Sequence, residues 1–196
     1  MSVSIIKYNA GNIFSVENAL HRLGVDCEVT NSPETIRRSS HVIFPGQGEA
    51  GTTMSYLRHT GLDQLILSLT QPVLGICIGM QLMCRYSEED NTSCLGIFDV
   101  DIMRFRPERH SDKVPQMGWN ELHGMKSPLF KDVPEGSYAY FIHSFYAPLC
   151  DATISKTDYI LPYSSSLQKG NFFATQFHPE KSGSIGEQIL KNFLTI

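Results

Sequence analysis

Four short apolar runs, SVSIIKY (2–8), VDCEVT (25–30), HVIFPG (41–46) and PVLGI (72–76), do most to constrain how this chain can fold. Each has the length of a single strand, and helical or turn-forming sequence separates it from the next. Between the first two, after the turn NAGN, Ile13, Val16, Ala19 with Leu20, and Leu23 recur at helical spacing until Gly24 closes the segment. SPETIRRSS (32–40) reads as a short helix or loop, and TTMSYLRHTG (52–61) and LDQLILSLT (62–70) read as helices. Strand–helix alternation of this kind implies parallel βαβ units, with helices on both faces of one sheet.

From about residue 95 the texture changes. GIFDVDIMRF (96–105), GSYAYFIHSFYA (136–147), ATISKTDYI (152–160), LPYSSSLQ (161–168) and NFFATQFHPE (171–180) are rich in β-branched and aromatic residues, with turn residues between them. These predict antiparallel hairpins continuing the same sheet, closed by a helix in SIGEQILKNFLTI (184–196). RPERHSDKVP (106–115) is the most loop-like stretch. The expected architecture is α/β, a mixed and mostly parallel sheet flanked by helices, forming one domain over residues 1–196.

Three places are unusual for plain structure. In GICIG (75–79), Cys77 follows a strand and precedes a helix, with Gly75 and Gly79 two positions to either side. That is the pattern of a nucleophile elbow, where small residues let the backbone turn sharply, and a helix starting at Ile78 would aim its positive end at the sulfur. Taken alone, a buried cysteine at a tight turn fits this stretch equally well. In QFHPE (176–180), His178 and Glu180 are two apart, so on an extended chain they share a side, supplying a base and an orienting carboxylate. In PGQG (45–48), glycines closing a strand leave backbone N–H groups free to face a ligand. Each has a bland reading by itself. Together, at strand ends of a doubly wound sheet, they form the machinery of acyl transfer through a thioester.

The order P-G-x-G, then G-x-C-x-G-x-Q, then H-P-E near the C-terminus resembles the class I (triad) glutamine amidotransferases, over essentially the whole chain. YNAGN (8–12), PQMGWN (115–120), YFIHSFYA (140–147) and QFHPEKSG (176–183) are similar to the branch that serves histidine biosynthesis. The resemblance implies a flavodoxin-like fold and a glutaminase with Cys77 as nucleophile, His178 as general acid and base, and Glu180 as its partner. It implies an oxyanion hole from the N–H of Ile78 and one from the Gly46–Gln47 peptide, which is expected to need reorientation before it can donate. Gly48, Gln81, Ser144 and Phe145 fall where the family holds the glutamine amino and carboxylate groups. Asn12, Met117, Trp119 and Lys181 match positions at the interface with a (β/α)8-barrel cyclase, the implied heterodimer partner. A core position suits the lone Trp119 about as well. Gln47 departs from the small or branched residue many relatives carry there. The alternative is a paralogue that supplies ammonia to another synthase, of the anthranilate type or one that modifies surface-polysaccharide sugars.

Charge narrows the partners. Twenty acidic against 16 basic residues give a net charge of −4, which argues against a nucleic-acid or anionic-membrane surface. No apolar run approaches membrane-spanning length, and the N-terminus lacks the pattern of a signal peptide. Five scattered cysteines without a C-x-x-C pair fit a reducing, cytoplasmic setting and speak against a disulfide framework or a metal-ligand cluster. No cofactor or metal is expected. His21 and His59 read as surface or half-buried residues without chemistry, and His110 and His123 lie in turn-like sequence.

Overall fold

Strands that lack polar alternation need cover on both faces of their sheet, and the computed structural model, which describes residues 2–8, 13–109 and 112–196, is built that way. Its first half runs β1 (Val3–Ile6), α1 (Phe14–Arg22), β2 (Cys27–Thr30), α2 (Pro33–Arg38), β3 (His41–Phe44), α3 (Ala50–Thr60), α4 (Leu62–Leu67), β4 (Val73–Ile76) and α5 (Ile78–Met83). Then follow β5 (Tyr86–Ser87), β6 (Thr92–Ser93), β7 (Asp101–Arg104), β8 (Gln116–Glu121), β9 (Tyr138–His143), β10 (Phe145–Tyr146), β11 (Thr153–Asp158), β12 (Pro162–Lys169), β13 (Phe172–Thr175) and α6 (Gly183–Phe193). No described helix is long and apolar enough to cross a membrane.

Local chemistry accounts for several boundaries. The ambiguous segment at 32–40 is helical because Ser32 accepts the Thr35 N–H at 3.4 Å and Pro33 starts the first turn. Gly61, at φ 72°, separates α3 from α4 by adopting the left-handed conformation. Helix α3 begins at Ala50, two residues before the expected start. Its first N–H is capped from a distance, by Glu89 Oε2 at 2.8 Å.

Seven strands form the central sheet in the order β11-β12-β13-β4-β3-β1-β2. Strands β2, β1, β3, β4 and β13 are parallel, while β12 and β11 extend the sheet antiparallel. Strand β4 lies at the centre, with Gly75 paired to Phe44 of β3 on one side and Ala174 of β13 on the other. The C-terminal ends of these three strands therefore carry PGQG, Cys77 and QFHPE side by side.

The expectation of one continuous sheet is corrected. Residues 101–104 and 145–146 join β5 and β6 in a four-stranded sheet ordered β10-β7-β5-β6, and β8 pairs only with β9. YFIHSFYA breaks at Ser144: His143 pairs with Gln116, whereas Phe145 pairs with Arg104. The buried His143 ring fixes that break, its Nδ1 lying 2.7 Å from the Phe145 carbonyl oxygen.

Alternate residues of the central strands enter two separate cores. Ile6, Val42, Phe44 and Val73 pack with Met54, Leu57 and Leu65 of α3 and α4. Val3, Ile5, Ile43, Leu74 and Ile76 pack with Leu20 of α1 and Ile189, Leu190 and Phe193 of α6. Truncating a side chain inside either layer leaves a cavity, whereas truncating an exposed one does not. Ile43→Ala, with Ile43 fully buried, is expected to lower the unfolding free energy by about 2–5 kcal/mol. Leu67→Ala, at a 43% exposed position, should change it by under about 0.5 kcal/mol in the same urea titration.

Candidate active site

Cys77 sits in the turn between β4 and α5 with φ 53° and ψ −111°, a conformation most L-residues avoid. Backbone bonds hold it there: its N–H donates to Thr175 O at 2.7 Å, and its carbonyl accepts the Gln81 N–H at 3.2 Å. Two glycines around the elbow, Gly79 and Gly46, are sterically required. A Cβ on Gly79 would lie 2.3 Å from Phe44 O, and one on Gly46 would lie 1.9 Å from Ile76 O and 2.8 Å from Cys77 Cβ. The loop after β3 thus presses directly on the elbow after β4. The first N–H groups of α5, that of Ile78 among them, have no acceptor within the helix.

His178 and Glu180 meet behind this elbow, though not as extended-chain geometry predicts. Strand β13 ends at Thr175, and His178 caps a single 3-10 turn over Pro179–Lys181. That turn swings Glu180 Oε1 to 2.7 Å from His178 Nδ1, with both side chains only 4% exposed. Ser182 secures the turn, donating from Oγ to His178 O at 2.6 Å while accepting the Tyr140 N–H at 3.0 Å. His178 Nε2 is buried and has no hydrogen-bond partner among the described residues. Burial opposes a charge on this ring, but interaction with the Cys77 sulfur and the Glu180 carboxylate outweighs it, so His178 holds its proton more tightly than a free imidazole. A ring oriented by a carboxylate, with its second nitrogen uncommitted beside a cysteine, is equipped to pass protons to and from that cysteine's reaction partners.

In front of Cys77 opens a cleft of about 270 Å³. Gly48, Cys77, Ile78, Gln81, Ser144 and Phe145 line it, together with Glu89, Pro115, Ile142 and His143. The Gln81 amide is held by Phe145 O at 3.1 Å and Gln176 Oε1 at 3.0 Å, and Gln176 Nε2 in turn lies 3.7 Å from the sulfur. Gly46 and Gln47 adjoin the elbow. The Gln47 N–H points to the Tyr8 hydroxyl at 3.4 Å, while that hydroxyl donates to Pro45 O at 2.6 Å.

Glu89 escaped the sequence reading. It is one of three consecutive acids, Glu88, Glu89 and Asp90, and nothing local separates it from the others. Only its bond to Ala50 at the start of α3 turns it toward the cleft. Burial raises the pKa of its carboxyl above the usual range, against the opposing effect of that N–H.

Of the expected interface residues, Met117 and Trp119 project from the same face of β8, at 64% and 56% exposure, so Trp119 is not a core aromatic. Their partners across the ladder are Ile142, which lines the cleft, and Tyr140. Lys181 is exposed at the end of the His178 turn. Asn12 and His110 lie outside the described residues. His123 is half-buried, with Nε2 3.1 Å from Glu121 Oε2. All five cysteines are free thiols, and Cys84 is fully buried. Well away from this cleft, Glu17, His21 and Cys27 come together.

His143 adds a pH dependence to the site's framework. Burial depresses it to about 4, against the opposing effect of its bond to Phe145 O. The unfolded chain therefore binds a proton near the ordinary histidine value while the folded chain does not, so stability falls as pH drops below about 6.5. From about pH 7 to about pH 5 this single group should remove about 2 kcal/mol. Urea unfolding of His143→Gln should show a correspondingly flatter pH dependence; an unchanged slope would contradict the assignment.

The family model for glutamine amidotransferase class-I matches residues 5–196. The chain is 58% identical over 196 residues, all of both chains, to "Imidazole glycerol phosphate synthase subunit HisH" of Bacteroides thetaiotaomicron. It is 57% identical, with the same coverage, to the protein of that name from Bacteroides fragilis. Against "Imidazole glycerol phosphate synthase subunit HisH 2" of Legionella pneumophila it is 41% identical, covering 99% of this chain and 98% of that one. Among solved structures, a putative GMP synthase protein from Thermoplasma acidophilum superposes with a TM-score of 0.76 at 19% identity, covering 100% of this chain and 92% of that one. That likeness is one of fold.

Proposed function

The chain belongs to the class-I glutamine amidotransferases, and on that footing we propose that it is the glutaminase subunit of an imidazole glycerol phosphate synthase, acting in histidine biosynthesis in the cytoplasm. The observation that carries the reading is the 58% identity to a protein of that name over the full length of both chains. Support comes from the convergence of Cys77, His178 and Glu180 at adjacent strand ends.

Glutamine enters the cleft with its side chain toward Cys77. Glu89 offers a carboxylate to its ammonium group, and Gly48, Gln81 and the backbone at Ser144 and Phe145 hold the amino-acid end. The Cys77 thiol passes its proton to His178 as the sulfur attacks the carboxamide carbon, and the negative charge that develops on oxygen is stabilised by the Ile78 N–H and by that of Gln47. In the described conformation the Gln47 N–H is directed at Tyr8, so the loop turns before it can contribute. One such donor is worth about 2.7–4 kcal/mol to a transition state of this kind. His178 protonates the leaving nitrogen, ammonia departs, and a glutamyl thioester remains on Cys77. His178 then takes a proton from water as it attacks the thioester, glutamate leaves, and the thiol is restored. Glu180, acceptor of the Nδ1 proton, keeps the ring in the required tautomer throughout.

Ammonia is consumed by a (β/α)8-barrel cyclase held as a heterodimer. There it reacts with a phosphorylated ribulosyl-formimino-carboxamide nucleotide to give imidazole glycerol phosphate and aminoimidazole carboxamide ribotide. Met117, Trp119 and Lys181 form the docking side, and the family resemblance adds Asn12 to the same interface. Exposed aromatic and Met side chains beside a catalytic cleft suit a partner that must receive a volatile product without losing it to water.

The test is a coupled assay with that cyclase and its nucleotide substrate. Cys77→Ser should abolish synthesis from glutamine and leave synthesis from ammonium salts unchanged. Loss of both would make Cys77 a structural or interface residue. Failure of the unaltered pair with either nitrogen source would point to the paralogue that serves another synthase.

A further inference from the structure

At the opposite end of the central sheet from Cys77, three side chains of different donor type converge. Glu17 and His21 are four residues apart on α1, a spacing that stacks them on one helix face. Cys27 opens the edge strand β2, paired with Val3 at the start of β1. One carboxylate oxygen, one ring nitrogen and the sulfur all lie within 4.8 Å of one another. We propose that Glu17, His21 and Cys27 form a binding site for a thiophilic divalent cation such as zinc.

Metal bonds of about 2.0–2.3 Å place tetrahedral ligand atoms about 3.3–3.8 Å apart, so small side-chain rotations from the present spacing complete the site. Both supporting elements are tied into the fold. Val16, Ala19 and Leu20 anchor α1 in the core on either side of Glu17, and β2 is bonded along its length to β1. The three donors are uncommitted, for no side-chain hydrogen bond or ion pair engages any of them among the described residues. A thiolate and a carboxylate neutralise a dication, and histidine adds a neutral ligand. Binding expels the thiol proton to solvent, and water takes the fourth position at the exposed sheet edge. The carboxylates of Glu17 and Asp26 flank the thiol and favour a cation. Imidazole with a thiolate favours zinc, or cobalt as its spectroscopic substitute, over magnesium or calcium. Because the cluster bridges α1 and β2, a bound ion would brace the sheet edge and leave the cleft at Cys77 untouched.

The test uses the full chain carrying Cys77→Ser, so that the candidate active site offers no thiolate, kept reduced with a phosphine and titrated with cobalt(II). One equivalent should bind with a sulfur-to-cobalt charge-transfer absorption in the near ultraviolet. Adding Cys27→Ser should erase that band, and adding His21→Gln should weaken binding by at least about tenfold. Zinc should raise the melting temperature of the Cys77→Ser chain but not of the chain that also carries Cys27→Ser. Absence of the band would overturn the proposal. So would its survival in Cys27→Ser, which would assign the ion to Cys84, Cys94 or Cys150.

Discussion

The close approach of two backbones at the end of the central strand governs the rest of the molecule. With the Gly46 Cβ position 1.9 Å from Ile76 O, the loop after β3 can touch the elbow after β4 only because there is no side chain between them. Gly79 has the same role where α5 leaves the elbow against Phe44 O. These contacts fix Cys77 at a positive φ, a cost of order 1–3 kcal/mol that the surrounding structure must hold. What the strain secures is position: the sulfur, the first N–H groups of α5 and the PGQG loop share a single small volume.

The third strand end completes that volume from the buried side. His178 and Glu180 are almost wholly enclosed, and enclosure by itself would keep the ring neutral. The Cys77 sulfur first, and then the Glu180 carboxylate 2.7 Å from Nδ1, supply the ring's counter-charge. The outcome is a proton held ready on the ring, with Nε2 free to act and Nδ1 fixed by the carboxylate. The front cleft opens onto this centre, lined by Glu89, Ser144 and Phe145 among others.

Much of this was legible because the informative signals are local. Gly75, Cys77 and Gly79 encode their own turn, and parallel alternation over the first 76 residues makes the ends of β3 and β4 neighbours whatever the details. Features set by distant partners were not legible. Glu180 was placed by an extended-chain argument, whereas a 3-10 turn after His178 brings it to that ring. The break of YFIHSFYA at Ser144 depends on where the His143 ring is buried. Glu89 is turned to the cleft by Ala50, 39 residues earlier. Trp119 fits a core or a surface equally well until the β8–β9 ladder is known to stand apart from the main sheet.

The account rests on Cys77 being the reactive thiol among five. Treatment with a diazo-ketone analogue of glutamine, in the presence of the cyclase, followed by peptide mass mapping measures this directly. Modification of Cys77 alone is the expected result, with Cys27, Cys84, Cys94 and Cys150 unlabelled. Labelling of Cys84, or of no cysteine at all, would contradict it.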